Sequence, residues 1–140
     1  MKIYLSHKKS TNSEFTHVSN IMMLDNIVTN CEATEIVVDN FLLQFSLGEL
    51  PIALDKILSK LRINSKLTIK EKDIDIISMK YGRGDWSLEE LNSNAFDSTA
   101  IKCFLNIETI QGKLSNKVQI EKSHLDQKNG NFLIVARRLK

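Results

Sequence analysis

Residues 35–75 constrain the fold of this chain more than any other stretch, because two strand patterns there enclose one helix pattern with short connections. Ile36-Val37-Val38 is a continuous β-branched run, which suits a strand buried on both faces, as in a parallel sheet. Over residues 47–61 the spacing turns helical, with Leu50, Ala53, Leu54, Ile57, Leu58 and Leu61 on one stripe. Ser46 and Glu49 have the spacing of a capping box, and Pro51 is tolerated only in a first helical turn. Both place the helix N-terminus just ahead of Pro51. Lys56 and Lys60 then fall on its solvent side. Asn64-Ser65 supplies a turn, after which Leu67 and Ile69 alternate with Thr68 and Lys70. The three segments make a βαβ unit with the usual right-handed crossover.

The flanking segments are shorter and more polar. Residues 1–6 alternate through Ile3 and Leu5 and read as a strand. Residues 7–20 read as a loop with one helical turn around residues 13–18, and Ile21-Met22-Met23-Leu24 as a short buried strand. Residues 71–86 contain Gly82 and Gly84 and are partly loop. Ser87 caps a helix starting at Leu88, and residues 99–110 form another through Ile101, Phe104, Leu105 and Ile107. At the C-terminus, Val118 and Ile120 alternate in one arm of a hairpin, and Phe132, Ile134 and Ala136 in the other. Asn129-Gly130 between them is the dipeptide of a type I′ turn. The pattern is α/β, mostly parallel with a C-terminal antiparallel hairpin, and residues 1–140 read as a single domain.

Composition excludes several function classes. With 42% apolar residues, 140 residues can build a core. A formal charge of +2 gives no strong case for nucleic acid or an anionic membrane. No apolar run reaches the roughly 20 residues of a membrane span, and residues 1–9 lack an apolar leader core, so the chain reads as soluble and cytoplasmic. Cys31 and Cys103 sit among apolar residues and are expected as buried free thiols rather than a disulfide pair.

Local motifs for catalysis are sparse. His7, His17 and His124 have no metal-ligand spacing. Gly82-Arg83-Gly84-Asp85-Trp86 lacks the strand-before, helix-after context of a dinucleotide fingerprint and reads as a tight turn; the functional alternative is a lid anchored by Trp86. Glu71, Asp73 and Asp75 alternate at a strand end, which in an open α/β sheet borders the ligand crevice. Solvated loop acids are the commoner outcome, and a cation site or a base the alternative.

The element order, with several local patterns, resembles the back half of the class I S-adenosylmethionine (SAM) methyltransferases, of the methyltransferase type 11 kind. Residues 35–45, ending Leu43-Gln44-Phe45, are similar to that family's fourth strand and the turn after it. Ala53-Leu54, Ile57-Leu58 and Leu61-Arg62 match the helix leading to its Leu-Lys-Pro-Gly-Gly turn, here Leu61-Arg62-Ile63-Asn64-Ser65. Residues 66–73 resemble the fifth strand, and residues 132–138, with Ala136-Arg137-Arg138, the last. The resemblance implies an abbreviated Rossmann-like sheet. It also implies a cofactor-binding set: Asp25 with Asn26 where the family's strand-end acid meets adenine, and Asp39, Asn40 and Phe41 where its fourth strand meets cofactor and substrate.

The family's glycine loop after the first strand has no counterpart, because the first glycine is Gly48. That loop lets backbone amides approach the cofactor with no Cβ in the way. The ribose-binding acid after the second strand has no counterpart either. Two missing hydrogen-bond sets cost roughly a thousandfold or more in affinity. The resemblance therefore implies a degenerate, non-catalytic module acting as a partner or structural subunit, in a hetero- or homo-oligomer. The alternative is a minimal SAM-dependent methyltransferase for a small-molecule or sugar-linked substrate, with Asp25 on adenine and with Asp39 and Asn40 at the transfer site.

Overall fold

β1 (Lys2–Leu5) lies between two parallel neighbours, β2 (Phe15–Val18) and β3 (Ala33–Asp39), with Tyr4 opposite His17 on one side and Val37 on the other. This computed structural model describes residues 1–9, 11–95 and 101–140. β4 (Leu61–Lys72) continues the parallel sheet beside β3. The hairpin of β5 (Val118–Asp126) and β6 (Asn131–Arg138) closes it antiparallel, giving six strands in the order β2-β1-β3-β4-β6-β5.

The expected βαβ unit is β3, α2 (Leu50–Lys60) and β4. Its start is fixed as the sequence implies: Ser46 N donates to Glu49 Oε1 at 3.1 Å, and Glu49 N to Ser46 Oγ at 3.2 Å. The same reciprocal pair, Ser87 with Glu90, opens α4 (Leu88–Ala95). α3 (Ile74–Gly82) starts at Asp73, whose Oδ1 caps Asp75 N and Ile76 N.

One face of the sheet carries the core. Ile3, Leu5, Ile36, Val38, Leu67, Ile69, Ile134 and Ala136 are buried against α1 (Leu24–Ile27), α2 and α5 (Ile107–Leu114). Tyr4, Val37, Thr68 and Val135 point the other way, stay only half-buried and lie outside that core. The β-branched run is thus buried on one face, not two. A mostly parallel sheet with one face left half-exposed is uncommon. Ile77, Trp86 and Ala95 form a second, smaller cluster.

Several expectations are corrected. Residues 15–18 are a strand, held by parallel pairing to β1. Ile21–Met23 is a 3-10 turn, capped by Asn20 on Met22 N and leading into α1, with Met22 and Met23 exposed. The turn at Asn64-Ser65 is a bulge within β4: Ala33 pairs with Leu61 and Glu35 with Lys66, and Asn64 takes φ +65°. The last helix starts only at Ile107, capped by Asn106 on Thr109 N; residues 99 and 100 of the expected one lie outside the described residues. The hairpin loop spans residues 127–130, with Gly130 left-handed but not Asn129, whose amide donates to Asp126 instead. Cys31 is exposed at φ +61°, and Cys103 is half-buried. Lys60 is buried, its ammonium on Asn30 and Asp25. The expected turn before Ser87 is present at residues 83–86, after the end of α3, with Gly84 at φ +80° and Trp86 buried.

Candidate functional site

The C-terminal ends of the parallel strands form the crevice where open α/β sheets bind ligands. β1 and β2 are joined there by residues 6–14, which contain no glycine and, among the described residues, no helix. Ser6 follows β1, and its carbonyl accepts from His17 Nε2 on β2 at 2.8 Å. The Tyr4 and His17 rings lie side by side, tilted at 39° with centres 6.5 Å apart.

The Tyr4 hydroxyl donates to Asp39 Oδ2 at the end of β3. Burial, and then the Asp39 carboxylate, push the Tyr4 phenol far above its ordinary pKa of 10.0. The next residue, Asn40, turns the chain at φ +48°, with its amide on Lys70 O at 2.9 Å. Phe41 is fully buried, between the His7 ring at 6.0 Å and the Phe45 ring at 5.7 Å. The turn is clamped from β4: Glu71 Oε1 accepts from Phe41 N at 2.8 Å and Leu42 N at 2.7 Å.

Glu71 is fully buried, and Oε2 has no hydrogen-bond partner. Desolvation raises its pKa from 4.5 to about 8, against the pull of the two amides. Burial and then the Glu71 charge also push the Cys103 thiol upward. Asp73 is buried and is not a solvated loop acid, whereas Asp75 is exposed on the first turn of α3. Asp73 Oδ2 accepts from Ile107 N at 3.0 Å, its amide donates to Gly130 O at 2.8 Å, and Asp75 Oδ2 accepts from Asn106 at 3.1 Å. The two buried strand-end acids, Glu71 and Asp73, thus serve as latches on backbone amides. No group of three or more His, Cys, Asp or Glu side chains among the described residues could hold a metal.

Of the sequence-based candidates, Asp39, Asn40 and Phe41 come together at this edge. Asp25 and Asn26 lie on α1, where Asp25 is bound by Lys56 at 2.6 Å and Lys60 at 2.7 Å. Those two bonds hold its carboxyl below the ordinary range. Sequence reasoning missed Tyr4 and His17. The only signal for Tyr4 was its position out of phase with Ile3 and Leu5.

No protein-family model and no curated protein sequence matches the chain significantly. Solved structures do. One is a magnesium protoporphyrin IX methyltransferase from Synechocystis with bound S-adenosylhomocysteine (SAH), at TM-score 0.57 and 10% identity over 89% of this chain. Another is a putative type 11 methyltransferase from Sulfolobus solfataricus, at TM-score 0.56 and 12% identity over 99%. A third is an N-methyltransferase from Bradyrhizobium japonicum in complex with SAH, at TM-score 0.57 and 13% identity over 91%. The fold is that of the class I SAM-dependent methyltransferases. The chain spans only 50%, 72% and 56% of those three proteins. Within the methyltransferase fold, the insertion of antiparallel β6 between β4 and β5 completes the sheet that the sequence implied. No helix among the described residues is long and apolar enough to cross a membrane.

Proposed function

We propose that this chain is a methyltransferase-fold module that does not transfer methyl groups and serves as a partner subunit. The β1–β2 connection carries the reading. Binding the cofactor at such a crevice draws on glycine-lined backbone amides and a helix N-terminus behind the first strand. Residues 6–14 offer Ser6-His7-Lys8-Lys9, without glycine and without a described helix. The residues after β2 are Ser19 and Asn20, not an acid, and the Asn20 side chain is spent on Met22 N. Asp39 is engaged by Tyr4. These residues do not fit SAM. The half-exposed face of the sheet supports a partner role, since parallel sheets are covered on both sides.

The competing reading is a minimal SAM-dependent methyltransferase for a small-molecule or sugar-linked substrate, with Asp39, Asn40 and Phe41 lining the cofactor. It draws on the SAH in two similar structures. Thermal unfolding with SAM and with SAH separates the two. Saturation at about 100 times the dissociation constant adds roughly 2.7 kcal/mol, a shift of several degrees. No shift at millimolar ligand is the expected result; a saturable shift with both ligands overturns the proposal.

A further inference from the structure

A second surface carries its own argument, independent of whether the crevice binds SAM. On the helical side, Met22 and Ile52 are 71% and 72% exposed, the most of any large apolar side chain among the described residues, and both border one groove. They flank a groove of about 220 Å³ floored by Ile21, Phe45 and Ala53. Glu49, at the start of α2, and Lys56, on its second turn, also line it. Seven residues apart, these two side chains lie on one face, roughly 10 Å apart along the axis. Their midpoint falls between Ile52 and Ala53.

We propose that this groove is a self-association surface, on which α2 of a second copy packs antiparallel across α2 of the first, about a two-fold axis at Ile52–Ala53. The charge pattern selects this occupant and this orientation. The axis sets Glu49 of each protomer opposite Lys56 of the partner subunit, whereas a parallel arrangement would set like charges together. The patch holds both a knob, Met22 with Ile52, and a groove to receive it, which is what an isologous interface requires.

Contacts within the protomer leave these groups able to pair. Lys56 binds Asp25, which Lys60 also holds, so further ammonium donors stay free. Glu49 spends Oε1 on Ser46 N and faces Lys102 at longer range.

Sedimentation equilibrium of the full chain tests this. The wild type is expected to dimerise with a micromolar Kd that rises several-fold in high salt as the charge pairs are screened. Ile52→Asp is expected to raise Kd by roughly 100-fold or more, and Val135→Asp, on the open sheet face, to leave it unchanged. Circular dichroism confirms that each variant is folded. In a Cys31→Ser background, Ile52→Cys is expected to give a covalent dimer under mild oxidation, because the two positions meet at the axis. A chain that stays monomeric at about 300 µM overturns the proposal. So does a dimer that survives Ile52→Asp, or one that Val135→Asp dissociates.

Discussion

Glu71, near the end of β4, holds the amide of Phe41 at 2.8 Å, and so ties the exit of β3 to the neighbouring strand through one buried carboxyl. Its second oxygen finds no partner. Folding raises this group's pKa from 4.5 to about 8, so the folded state retains a proton that the unfolded chain gives up. The associated stability is fully present below pH 4.5 and is lost as pH rises through about 8. Urea titrations across that window should show stability falling by a few kcal/mol (about 1.4 per pKa unit). Glu71→Gln, which keeps an acceptor for both amides, should flatten the profile. Glu71→Ala should cost roughly 1–3 kcal/mol at low pH, because it orphans two buried N–H groups, and less as pH rises through about 8, where the wild type itself weakens.

Tyr4→Phe removes the hydroxyl donor to Asp39 while leaving the ring against Phe15 and His17. The expected loss is about 1 kcal/mol, measured by chemical denaturation. In the wild type, alkaline difference spectroscopy should find one of the two tyrosines resisting ionisation beyond the range of a free phenol. That signal should vanish in the variant.

Gly130→Ala tests the packing of the second cluster on the hairpin loop. Gly130 sits at φ +73°, and an added Cβ would lie 2.8 Å from Trp86 Cη2 and 3.1 Å from Ile77 Cγ1. Backbone strain and overpacking together should cost on the order of 1–3 kcal/mol. Trp86 is the chain's single tryptophan, so its emission should shift to the red as the ring is displaced.

Asp25 holds Lys60, whose side chain is 7% exposed, along with Lys56. Asp25→Ala should lower stability in chemical denaturation, by leaving the buried Lys60 ammonium on Asn30 alone. Lys60→Met in the same chain should recover most of it. Additive losses in this double-mutant cycle would contradict the pairing.

The parts of the fold that sequence alone reveals are those set by local chemistry. α2 follows from Ser46, Glu49 and Pro51, and α4 from Ser87 and Glu90, because caps and first turns are decided within a few residues. β3 follows from its continuous β-branched run, and β4 and β6 from their apolar alternation. β2 and the 3-10 turn do not, because a four-residue strand takes its identity from β1 beside it, and Ile21-Met22-Met23-Leu24 carries no period. The site divides the same way. Asp39, Asn40 and Phe41 come from the family resemblance, and their position at the end of β3 follows from the strand pattern before them. That Glu71 is a buried clamp, that Tyr4 engages Asp39 and that Lys60 lies inside depend on which face each strand or helix turns to its neighbour.

On the proposed reading, this methyltransferase sheet has no cofactor cradle between β1 and β2. Calorimetric titration of SAH into the full chain tests it most directly. The expected result is no saturable heat at ligand concentrations of about 1 mM. A one-to-one isotherm with a micromolar Kd, weakened by Asp39→Ala, would contradict it.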